Sequence, residues 1–164
     1  ATQKYLYRVA LDGSGKSQRV TPVDEVGTHG YLFSPNAKRA IHTYSTLDSP
    51  PLHELIEVEV HRVVSYLERN DDIRERMKSL ELPSTEFLKL DIGNGLEFDA
   101  WMLKPRDFDA SKKYPVVEYI YAGPHGTHTP KSWAASSGMQ AQAELGFIAV
   151  QMDGMGTSTN SGSP

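Results

Sequence analysis

The sequence predicts a mixed fold, antiparallel β-structure followed by an α/β segment, and three observations carry that expectation. Short strand-like runs, punctuated by turn signals about every ten residues, continue as far as Leu67. One amphipathic helical stretch then interrupts them between Asn70 and Pro83. Beyond it an Asn94-Gly95 hairpin signal leads into two apolar runs separated by a segment of helical character.

In chain order, Tyr5, Tyr7 and Val9 alternate around Arg8, and Asp12-Gly13-Ser14-Gly15 follows as a turn able to supply positive φ. Gln18 to Thr21 reads as a short strand and His29 to Phe33 as another, ended by Ser34-Pro35-Asn36-Ala37-Lys38. Pro at the second position and Asn at the third suit a type I turn. Arg39 to Thr46 and Leu52 to Val60, split by Pro50-Pro51, and then Arg62 to Leu67 complete a series that fits a sandwich, barrel or propeller. Asn70 or Asp71 can cap the helix, Ile73, Met77 and Leu80 share one face of it, and Pro83 stops it. Glu86 to Ile92 and Leu96 to Leu103 flank Gly93-Asn94-Gly95. Pro115 to Tyr121 and Phe147 to Met152 flank a helical segment from about Lys131 to Leu145, a parallel βαβ pattern.

The 164 residues, 38% hydrophobic and 23% charged, suit one medium domain or two small pieces. A net charge of −4 and the lack of any basic run give no reason to expect nucleic acid as a partner. No apolar stretch approaches a membrane span, so no membrane contact is evident, and Ala1 to Tyr7 lack the pattern of a signal peptide. Cysteine is absent, which excludes disulfides, thiol nucleophiles and cysteine–zinc sites.

Several blocks resemble the prolyl oligopeptidase family of serine peptidases, in particular its dipeptidyl peptidase IV group. Tyr5 to Val9 with Leu11 to Lys16, Phe33-Ser34-Pro35-Asn36 and Leu67-Glu68-Arg69-Asn70 are similar to the last propeller strands of that group. Trp101 to Pro105, Phe108 to Val116 and Tyr119 to Pro124 follow in family order, and Asp153-Gly154-Met155-Gly156-Thr157 resembles the loop after the next strand, where many members carry Arg in place of Met155. The resemblance implies that residues 1–68 are the terminal part of a β-propeller. It makes 69–164 a linker helix and the N-terminal part of an α/β-hydrolase domain. It also implies a parent that hydrolyses short peptides, after a penultimate Pro or Ala, through an acyl-enzyme and without cofactor or metal, in a periplasmic or extracellular setting.

By the same resemblance Tyr121 donates its hydroxyl to the oxyanion hole, with Gly123 and Pro124 shaping a tight turn beside it. No serine has Gly at both −2 and +2, and Ser158 is a near miss, with Gly156 before it but Asn160 after. In the family the Ser, Asp and His of the triad follow well downstream of the loop at Asp153, so the resemblance implies that nucleophile, acid and base lie outside this chain, which alone should be inactive. Its unpaired strand edges should favour self-association or a homo-oligomer. The competing expectations are a stand-alone β-rich binding module and a naturally inactive family member.

Other candidates have blander readings. His125 and His128 lie in one loop but lack a third ligand. His29 and His42 read as packed strand residues, and His53 and His61 as surface residues. Asp71-Asp72 beside Arg74 reads as a helix start favoured by the macrodipole rather than as a catalytic pair. Asp12 to Lys16 lacks the spacing of a phosphate loop.

Overall fold

The computed structural model describes residues 2–83, 85–121, 123, 129, 131–133 and 138–157. The chain divides into two compact units, one built from Gln3–Met77 with Lys131–Ala134, the other mainly from Lys78–Pro130 with Ala135–Pro164.

The first unit centres on a four-stranded antiparallel meander, β3 (Thr28–Phe33), β4 (Arg39–Ser45), β5 (Leu52–Glu57) and β6 (Arg62–Glu68), hydrogen-bonded in that order. Alternation puts His29, His42, Glu54, Ala40 and Ile56 on one buried face. The β3–β4 connection is the expected type I turn: Ala37 N–H donates to the Ser34 carbonyl at 2.8 Å across Pro35-Asn36. Ala37 then takes a left-handed φ of 53°, and His61 does the same at 48° after the Val58–His61 turn. Two bulges bend β6 against β5, between His53 and Glu54 and between Leu55 and Ile56.

The N-terminal stretch forms much less strand than its alternation suggests. Only β1 (Tyr7–Arg8) pairs with β2 (Gln18–Arg19), and Val9 stays exposed, because neither partner offers a face to bury it. The helix α1 (Asp71–Lys78) begins where Asn70 accepts the first helical bond from Arg74 at 3.0 Å. The Asn70 side chain turns away to the Pro51 carbonyl (2.6 Å), and Arg74 reaches Ser49 and the Pro50 carbonyl, so the helix start is tied to the Pro50-Pro51 corner. The expected apolar face fails: α1 buries no residue, Leu80 lies beyond its end, and the helix stops at Lys78, ahead of Pro83. Eight residues give too few turns to complete that stripe.

The second unit holds a mixed sheet ordered β7-β8-β10-β9, from β7 (Thr85–Asp91), β8 (Glu97–Leu103), β9 (Val116–Tyr121) and β10 (Ile148–Asp153). The β7–β8 hairpin closes as the Asn-Gly signal requires, with Asn94 and Gly95 at φ 56° and 74° and Leu96 N–H on the Gly93 carbonyl. β10 runs antiparallel to β8 and parallel to β9, and the crossover between β9 and β10 carries α2 (Gly138–Glu144). The described helix is shorter than the expected 131–145 segment, since Lys131 to Trp133 are not helical. Trp101, Leu103, Met139, Ala143 and Ala149 make its core, where α2 meets the β8–β10 pair. Most of β9 remains uncovered, with Val116, Tyr119, Ile120 and Tyr121 exposed.

Candidate functional site

In the second unit the carboxyl ends of the parallel strands β9 and β10 meet, the place where open α/β sheets bind ligands. The apolar run Val116–Tyr121 makes β9, and the last residue pair of the parallel ladder is Tyr121 with Asp153. Gly154 extends that ladder one step, its N–H donating to the Tyr121 carbonyl at 3.1 Å. Both the N–H and the hydroxyl of Thr157 then bind the Gly154 carbonyl, the hydroxyl at 3.1 Å, closing a turn in which Gly156 has a φ of 103°. A side chain at that φ would be strained, which accounts for glycine there.

Asp153 is fully buried and accepts a hydrogen bond from Thr129 Oγ1 at 2.6 Å. A buried polar side chain bonded to a hydroxyl at a strand end helps fix the start of the following turn, because buried polar groups keep their hydrogen bonds. The backbone of Tyr121 is thus held from its neighbour strand, while its side chain keeps 38% of its surface exposed. Beside it lies an open depression of about 280 Å³ lined by Tyr119, Ile120, Tyr121 and Gln151.

Gly123 sets the position of the phenol. A Cβ there would lie 2.5 Å from Tyr121 Cζ and 2.7 Å from Cε1, and closer still to the hydroxyl oxygen. The ring therefore folds back over the Gly123 backbone, and any larger residue would push it away. The expectation of a tight turn attributed this glycine to backbone conformation. What the structure requires of it is space.

The remaining candidates are scattered. Asp71 and Asp72 sit exposed at the start of α1, Asp71 in ion pairs with Arg69 (3.1 Å) and Arg74 (3.2 Å), as the helix-start reading expects. Asp12 binds the Ser14 N–H at 2.9 Å within a simple surface turn. His29 and His42 are buried on the sheet of the first unit. The surface reading of His53 and His61 is corrected: both are half-buried, His53 bonded to Thr43 and His61 to Tyr31. The left-handed conformation at residue 61 swings its ring back over the sheet. His125, His128, Pro124 and Ser158 lie outside the described residues. Among the described residues no group of three or more His, Asp or Glu side chains is placed to hold a metal ion, and no helix is long and apolar enough to cross a membrane. The Asp153–Thr129 pair has no signature in the sequence, where only the Asp153–Thr157 block points to this turn.

No family model matches the chain. It is 31% identical over 94% of its length to the "Probable dipeptidyl-aminopeptidase B" of Neurospora crassa, and 28% identical over 95% to the protein of that name from Aspergillus clavatus. The crystal structure of Porphyromonas gingivalis dipeptidyl peptidase 4 superposes with a TM-score of 0.84 and 29% identity, covering 95% of this chain. The chain spans 17% of each fungal relative and 22% of the crystallised one.

Proposed function

Because the chain belongs to the dipeptidyl peptidase IV-like family, we propose that it supplies the oxyanion-binding edge of a serine peptidase whose nucleophile, acid and base come from elsewhere in the protein. The mixed sheet with its β9–α2–β10 crossover is read as the opening of an α/β-hydrolase domain, and the four-stranded meander as propeller structure. The full-length enzyme would release dipeptides from peptides with a penultimate Pro or Ala through an acyl-enzyme. The observation that carries this reading is the Tyr121 phenol, exposed at the carboxyl end of β9 and seated on Gly123.

A serine attacking the scissile carbonyl drives its oxygen towards a full negative charge, and a fixed hydroxyl aimed there stabilises that charge without reorganising. The ladder bond from Gly154 and the bare Gly123 surface together hold the phenol in place. His would move the serine proton and Asp orient the His, roles for which this chain offers no matched residue. Short peptides are the proposed substrate, and the uncovered face of β9 favours self-association of the isolated chain.

Two measurements test this. The isolated chain is expected neither to hydrolyse proline-containing dipeptide amides nor to react with a fluorophosphonate probe, and labelling of any serine in it would place the nucleophile inside. In the full-length peptidase, Gly123→Ala should displace the phenol and lower kcat by at least about tenfold, a fraction of a lost oxyanion donor, with KM little changed. Unaltered kcat would show that the Gly123 seat has no bearing on the reaction.

A further inference from the structure

The buried face of the first unit carries a chain of titratable groups that the peptidase reading does not use. Glu54 Oε1 lies 2.9 Å from His42 Nδ1, His42 Nε2 lies 2.9 Å from His29 Nδ1, and His29 Nε2 lies 3.1 Å from the Glu25 carbonyl oxygen. The two imidazole planes are within 4° of parallel, and all three side chains are buried. The last acceptor settles the direction of its own contact. A carbonyl oxygen only accepts, so His29 Nε2 carries a hydrogen. Three contacts at these distances then need three protons, one in each gap. Two neutral imidazoles and an ionised carboxylate hold only two.

The third proton could make either imidazole an imidazolium facing a Glu54 carboxylate, or make Glu54 a neutral acid. The surroundings decide. Around the chain stand Tyr5, Arg19, Asp24 and Glu25 from the N-terminal stretch, Tyr31 on β3, Tyr44 on β4, His61 from the β5–β6 turn, and Tyr66 paired with Glu54 on β6. Arg19 opposes a cation on His29, and His61 favours an anion on Glu54 by less than burial opposes it. Burial pushes His29 and His42 down to about 4 and pushes the Glu54 carboxyl up, so every group here favours its neutral form.

We propose that Glu54 is a neutral carboxylic acid in the folded chain, donating to His42, which donates to His29, which donates to the Glu25 carbonyl, and that this proton-loaded relay latches the 20–27 segment over the sheet. Arg19 also reaches that carbonyl, at 3.3 Å, and Tyr44 binds the Val26 carbonyl at 3.0 Å, so loss of the proton loosens the segment without freeing it. When Glu54 ionises, two lone pairs must face each other in one of the gaps, and that contact is lost.

The pH dependence has two limbs. A carboxyl raised above its unfolded value contributes stability that is present at lower pH and lost as pH rises through the folded value. Imidazoles lowered to about 4 contribute stability that is lost as pH falls from about 6.5 towards 4. Where the two ranges overlap they oppose each other, and a decline in melting temperature on the alkaline side is the mark of Glu54.

The test is infrared spectroscopy of the 164-residue chain at about pH 6, where exposed carboxyls are ionised. A carbonyl band of a protonated carboxyl that disappears in Glu54→Gln is expected. The amide introduced by that substitution can donate to His42 as the acid does, so the variant should also keep the acid limb and lose the alkaline decline in melting temperature. No such band, or one that Glu54→Gln leaves in place, overturns the proposal. If the variant fails to fold, 15N shifts of His29 and His42 in the unaltered chain decide. Two neutral rings protonated at Nε2 support the relay, and an imidazolium at either position refutes it.

Discussion

Tyr121→Phe in the full-length peptidase is expected to lower kcat by about 10²–10³, roughly 2.7–4 kcal/mol of transition-state stabilisation, while KM changes little. The ground-state carbonyl carries only a partial charge, so the phenol is worth most when the tetrahedral state forms. Phe keeps the ring that rests on Gly123 and leaves the Gly154 bond to the residue 121 carbonyl untouched. The side chain is partly exposed, so melting temperature should shift by little. Parallel measurement of kcat, KM and melting temperature separates this from a packing role, in which stability would fall and kcat would not. A kcat within about threefold of the unaltered enzyme, far short of donor loss, would end the oxyanion assignment.

Leu103→Ala is expected to destabilise the second unit by about 2–5 kcal/mol, against less than about 0.5 kcal/mol for Ile120→Ala. Leu103 is 1% exposed and pairs with both Thr85 on β7 and Ala149 on β10, whereas Ile120 is 63% exposed on β9. The core around Leu103 is small, with Ala143 and Ala149 among its members, and alanines have no reach to refill a vacated leucine site. Urea unfolding followed by Trp101 fluorescence, in a Trp133→Phe background, isolates this unit because the chain has two tryptophans. Equal midpoints for the two variants would mean that β8 and α2 are not packed as described.

Strands and turns are legible where their chemistry is local. Pro35-Asn36 and Asn94-Gly95 impose backbone angles on their own residues, and period-two alternation in β4 and β5 marks which side chains share a face. What covers a face is not local, and there sequence reasoning fails. His61 reads as a surface residue because nothing adjacent in sequence reveals that a left-handed turn carries its ring 2.9 Å from the Tyr31 hydroxyl. The stripe of Ile73 and Met77 promises a buried face, yet α1 buries no residue. Tyr121 stands out only through family resemblance. Its setting depends on the turn at Asp153–Thr157 and on the missing side chain of Gly123, and neither relation is visible as spacing.

The strand order of the second unit also governs how it can assemble. β10 is the last described strand in the chain, yet it lies between β8 and β9. The β7–β8 hairpin can form as soon as it is synthesised, but Leu103 must wait for Ala149 before the far edge of β8 is paired. Until α2 delivers β10, that edge and the inner side of β9 stand open, and the β8–β10 pairing is the one of longest sequence separation in the sheet. Slow docking of the crossover helix would thus lengthen the interval in which a nascent chain can pair with a neighbour instead of with itself.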